Sequence, residues 1–146
     1  DRQDLAAASA SLEEARVWSG EESDNPGLSR LAGQIHLNSG DPAAAAAEFD
    51  READLLKRAR NFWPLPSALA RAGRAYGEHG NWEEAANRFY RGARSALAHG
   101  KHGEAETLAQ SALEAAGHVP SGEGDHIMGL IDELLDELSD GTTPAP

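Results

Sequence analysis

Residues 66–99, PSALARAGRAYGEHGNWEEAANRFYRGARSALAH, decide the fold class. They spell two helices back to back around one tight turn. The first runs through Leu69, Ala72, Gly73 and Tyr76, and Gly80-Asn81 breaks the pattern. The second starts near Trp82 and carries Ala85, Ala86, Phe89, Ala93 and Ala96 at the three-and-four spacing of an apolar helical stripe. Small residues (Gly73, Ala85, Gly92) fall where two helix backbones must come close. Tyr76 and Phe89 fall where a gap must be filled.

The same marks recur outward from this stretch at a fixed distance. Ala32, Ala72 and Ala112 are spaced by forty, as are Gly33 and Gly73, Gly40 and Gly80, Ala45 and Ala85, Phe49 and Phe89, and Ala53 and Ala93. Small and bulky residues holding one register together indicate an internal repeat. The order Gly73, Tyr76, Gly80, Ala85, Phe89, Gly92 resembles the consensus of the tetratricopeptide repeat, a helix-turn-helix unit that stacks into arrays. The Pro that the family carries near the end of its unit is missing, and Leu97 stands in its place. Forty residues exceed that family's usual thirty-four, so longer helices or an insert at 62–66 must supply the excess.

Taken in order, residues 2–19 form a helix with Leu5, Ala8, Leu12, Ala15 and Trp18 on one face, ended by Gly20. Pro26 opens the next, with Leu28, Leu31, Ala32 and Ile35. Asp41 caps a third, with Pro42 at its first position, where a missing N–H costs nothing. Residues 61–66, with Pro64 and Pro66, interrupt. A sixth helix carries Ala105, Leu108, Ala109, Ala112 and Ala116, and a seventh Ile127, Leu130, Ile131, Leu134, Leu135 and Leu138. The expectation is an all-α fold: a right-handed stack of antiparallel helix pairs, a TPR-like α-solenoid of about seven helices. It forms a single domain over 1–138, with a half unit at 2–20, units at 26–60, 66–100 and 103–138, and a disordered tail at 139–146.

Composition narrows the chemistry. A chain of 146 residues is long enough for one domain that buries roughly 70% of its unfolded surface. Thirteen basic against twenty-five acidic residues give a net charge of −12, which repels nucleic acid and anionic membranes. No apolar run is long enough to span a membrane. Absence of Cys excludes disulfides, thiolate catalysis and Cys-based metal sites. His99 and His102 are close enough to share a metal, but two His make an incomplete site and no zinc motif surrounds them. No Ser lies in a nucleophile elbow, no Gly-rich phosphate loop follows a strand, and Glu83-Glu84 is accounted for by the helix dipole. The chain is expected to be no enzyme, with no catalytic residue, metal or cofactor.

Stacked pairs curve, and the resemblance implies a concave groove, lined by the first helix of each unit, that holds a peptide or helix. By position the groove residues are Arg30, Gln34 and Asn38, then Arg71, Arg74 and Glu78, then Gln110 and Glu114. The expected function is a protein-interaction module or assembly adaptor whose partner is another protein or peptide. The alternative is self-association, with the half unit at 2–19 docking on a second copy. Residues 51–94 hold nine Lys or Arg and five acids, a local +4 that leaves the remainder at −16, so the middle suits an acidic peptide. Phe62 and Trp63 either anchor a partner or fold under the array to plug the gap beside the prolines. The plug is the ordinary fate of so few large residues, and under it Trp63→Ala lowers the melting temperature. The start at Asp1 and the Thr-Pro-Ala-Pro end fit a trimmed bacterial protein of the periplasm or cell envelope, with a cytoplasmic fragment as the alternative.

Overall fold

Four turns of one design set the spacing of the helices. The N–H groups of residues 40, 60, 80 and 100 donate to carbonyls three residues back at 3.0–3.1 Å. Those of Asp41, Asn61, Asn81 and Lys101 donate to carbonyls five back (His36, Leu56, Tyr76, Ala96) at 2.8–2.9 Å. This pair of bonds is the Schellman motif, which satisfies the last helical carbonyls and needs a left-handed residue at its corner. The corner φ values are 80° at Gly40, 81° at Gly80 and 75° at Gly100, where the absence of a Cβ makes the region freely accessible, and 54° at Arg60, where the side chain makes it costly. In two of the turns the next residue caps the following helix at once. Asp41 accepts from the Ala44 N–H at 3.1 Å, and Asn81 from the Glu84 N–H at 3.4 Å.

The computed structural model describes residues 2–19 and 25–140. The expected helix end at Gly20, the Ala15 and Trp18 side chains and the tail beyond 140 lie outside the described residues. The described ones form seven helices and no strand: α1 (Arg2–Ser19), α2 (Pro26–Asn38), α3 (Pro42–Arg58), α4 (Leu65–Glu78), α5 (Trp82–Ala98), α6 (His102–Ala116) and α7 (Asp125–Ser139). The all-α expectation holds. Each helix from α1 to α6 packs on the next, and α7 covers both α6 and α5.

Alanine makes this packing close. Ala32, Ala45, Ala72, Ala85, Ala93, Ala109 and Ala112 are fully buried. Phe49 fills a notch at Gly33, where an added Cβ would lie 2.6 Å from the ring. Phe89 fills the corresponding notch at Gly73, at 3.0 Å. Ile131 and Leu134 of α7 are buried against the cluster of α5 and α6, while Asp132, Glu133, Asp136 and Glu137 face outward. On the other side Leu12 of α1 is buried with Leu28, Ala32 and Ile35.

Two expectations about residues 61–66 are corrected. The segment is not an insert: α6 begins at His102 directly after the turn at 100, and 62–64 occupy the register of 102–104. The forty-residue spacing therefore comes from helix length, with α3 and α5 at 17 residues each. Pro64 leaves the first residues of this register outside the helix, but Pro66 lies within the first turn of α4, where the missing N–H breaks no helical bond. The aromatic plug is also wrong. Trp63 is 69% exposed and Phe62 37%, because the unwound residues run along the surface rather than beneath it.

Candidate functional site

A cleft of about 370 Å³ is bounded by α4, α5 and α6. Gly73 and Gly77 of α4 form one wall, Trp82 and Phe89 of α5 lie at its base, and Ala115 of α6 closes it opposite. Arg74, Glu78, Ser111 and Glu114 stand at the rim. Gly77 is needed here by close approach, since a Cβ there would sit 3.0 Å from the Trp82 ring. Trp82 is held from the far side by His118, stacked at 4.1 Å between ring centroids. The rigid indole and the bare glycine backbone together leave an apolar slot with charged edges.

The register of forty explains why the slot lies here. Between α2 and α4, Leu37 stands where Gly77 stands and Arg71 where Ser111 stands. Leu37 packs against Ala45, Ala46, Phe49, Ala72 and Ala75 and fills that space. Arg71 turns away to Glu52, its Nε at 3.3 Å from one carboxylate oxygen and its Nη2 at 2.8 Å from the other. One register on, Gly77 lacks the side chain that Leu37 supplies, and Ser111 lines the equivalent space.

A second polar group braces the three helices behind the cleft. Arg88 of α5 donates to both Asp50 oxygens of α3 at 2.8 and 3.0 Å, and to Glu84 at 2.6 Å. Tyr76 of α4 donates its hydroxyl to Asp50 at 2.5 Å, and the Arg88 guanidinium lies 5.0 Å from its ring centroid. Burial, then the hydrogen bond and charge of Asp50, push the Tyr76 hydroxyl up to about 12. Burial pulls Arg88 down, but its hydrogen bond and attraction to Asp50 outweigh that and leave its pKa raised. These groups fix the angle between α3, α4 and α5 and are not free for a ligand.

The groove residues expected from the resemblance divide into three groups. Arg74, Glu78 and Glu114 line the cleft, and Gln110 flanks it on the exposed side of α6 with Glu106 and Thr107. Arg30, Gln34 and Asn38 are exposed on α2, away from the cleft, with the Gln34 amide donating to Asn38 at 3.2 Å. Arg71 is engaged with Glu52. Sequence reasoning passed over Gly77, Trp82, Ser111 and Ala115 as site residues. The signal was present in the departures from the forty-residue register at 77 and 111. The excess of base in the middle of the chain does not collect in the cleft: Arg71, Arg88 and Arg94 are all paired with carboxylates, and Arg74 shares the rim with Glu78 and Glu114. Among the described residues no group of three or more His, Asp or Glu is placed to hold a metal, and no helix is long and apolar enough to cross a membrane. The chain matches no protein-family model and no curated protein sequence.

Proposed function

We propose that this chain is a tetratricopeptide-like array, a right-handed stack of antiparallel helix pairs, that works without catalysis as a protein-interaction module. Its partner is a peptide or helix of another protein, seated along α4 and α6 with one apolar side chain in the slot over Trp82 and Phe89. The observation that carries the reading is the slot itself, left where Gly77 stands in place of the Leu37 of the preceding register. An unfilled apolar slot between packed helices forgoes burial and dispersion, so its retention favours use as a binding site. The rim carries Arg74 against Glu78 and Glu114, which suits a ligand residue flanked by a basic group rather than the acidic segment that bulk charge suggests. Self-association through residues 2–19 is disfavoured, since Leu12 is already covered within its own chain by Leu28, Ala32 and Ile35.

The test begins with peptides selected from a random display library on the immobilised chain. Ser111→Leu fills the slot from an exposed edge with a good helix former. Selected peptides should bind this variant at least tenfold more weakly while its melting temperature is unchanged. Peptides that bind both forms equally would refute the cleft. Size-exclusion chromatography with light scattering addresses self-association, and a monomer at all concentrations is expected.

A further inference from the structure

A second surface lies at the end of the molecule formed by the turns at 59–64 and 99–101. Trp63 is the most exposed large apolar side chain described, at 69%, yet its ring is fixed. The Lys101 ammonium lies 3.9 Å from the indole centroid and donates to the Trp63 carbonyl at 2.6 Å. Glu104 holds Lys101 at 3.5 Å and accepts from Ser67 at 3.4 Å. Phe62 stacks on His99 at 5.5 Å. An indole locked in place with one face in water is preorganised to anchor a partner, because little rotamer entropy remains to be lost.

Basic side chains cluster in the chain just before this anchor. Lys57, Arg58 and Arg60 are exposed and, among the described residues, none of them pairs with a carboxylate, although Asp54 lies one turn before Arg58. Arg60 also occupies the left-handed corner that three sister turns give to Gly. Backbone strain retained at one of four equivalent corners points to a use for the side chain that causes it.

We propose that this end is a docking surface for an acidic, extended peptide segment of another protein. Its carboxylates meet Lys57, Arg58 and Arg60, and an apolar side chain of the segment covers the open face of Trp63. A net charge of −12 over the whole chain works against long polyanions, while a cluster of this size matches a short acidic segment. The surface is separate from the cleft over Trp82, and neither proposal depends on the other.

The probe is a fluorescein-labelled peptide in which Asp and Glu alternate with single Leu residues, compared with its counterpart carrying Lys for every acid. Anisotropy with the full chain should show binding of the acidic peptide alone, several-fold weaker at about 0.3 M than at about 0.05 M salt. Trp63→Ala should weaken it about tenfold without lowering the melting temperature. Arg60→Gly should weaken it several-fold while raising the melting temperature, a combination that a purely structural arginine cannot give. Ser111→Leu should leave it unchanged. The proposal is overturned if the acidic peptide does not bind, if Trp63→Ala and Arg60→Gly bind it like the parent, or if Ser111→Leu abolishes binding. It is equally overturned if single-stranded oligonucleotides or phosphatidylserine vesicles bind through Arg60 and Trp63 in place of the peptide.

Discussion

Arg60 is the one non-glycine residue with positive φ among those described, at 54°. Its turn makes the same two hydrogen bonds as those at Gly40, Gly80 and Gly100, so the backbone is held there against the side chain's preference. Left-handed geometry costs an ordinary L-residue about 1 kcal/mol relative to Gly. Arg60→Gly is therefore expected to stabilise the fold by about 1 kcal/mol, read as a melting temperature higher by about 2–4 °C in thermal unfolding followed by circular dichroism. An unchanged or lower value would mean that the Arg60 side chain contributes stabilising contacts. At Phe49, fully buried over Gly33, the opposite holds: Phe49→Ala leaves a cavity that nothing nearby can fill and should cost about 3–5 kcal/mol in urea denaturation. A cost below about 1 kcal/mol would show that the notch collapses.

At the scale of elements, the Asp50–Tyr76–Arg88 group joins α3, α4 and α5 by charge-assisted bonds that are mostly shielded from water. Arg88→Ala leaves Asp50 with one partner in place of two and should cost about 1–3 kcal/mol. The same group makes a tyrosine into a reporter. The Tyr76 pKa of about 12 lies above its ordinary 10.0, so the folded chain keeps a proton that the unfolded chain releases. This contribution to stability is complete below pH 10 and is lost as the pH rises towards 12. Ultraviolet titration of tyrosinate should show one step near 12, and Asp50→Asn should bring it down by removing the accepting carboxylate. A step that stays in place in Asp50→Asn would assign the shift to burial alone.

What was legible in the sequence also sorts by element. The α4–α5 hairpin was read from residues 66–99 because Gly73, Phe89 and the alanines can sit only on facing sides of two close helices. The turn at 60 was hidden, since its left-handed corner carries Arg where the others advertise Gly. Trp63 was misplaced because large aromatics are usually buried, and that rule fails where Pro64 keeps the chain out of the helix at the surface. The charged rim of the cleft, Arg74, Glu78 and Glu114, followed from helix position. The slot at Gly77 follows only from what the register lacks there, the side chain that Leu37 supplies. The diversion of Arg71 to Glu52 depends on two rotamers across a helix interface, which spacing does not encode.

For the whole molecule, α7 supplies a cover of a particular kind. It buries Ile131 and Leu134 and presents acids outward, with Glu137 reaching Arg94 at 3.1 Å. That exposed pair is worth little by itself, so the burial must do the fixing. Leu134→Asp places an unpaired charge in the α5–α6–α7 cluster and should release α7, seen as faster amide hydrogen exchange over 125–139 that spreads to α6. Exchange that remains slow would mean that α7 is held by something other than its apolar face.

The proposed function seats the partner in the slot bounded by α4, α5 and α6. Its most direct test is a titration of the isotope-labelled chain with a peptide selected from the display library, followed by nuclear magnetic resonance. The largest shifts are predicted at the amides of Gly73, Gly77 and Ser111 and at the indole N–H of Trp82. Shifts confined to α1, to the outer face of α3 or to α7, with those four signals unmoved, would contradict it.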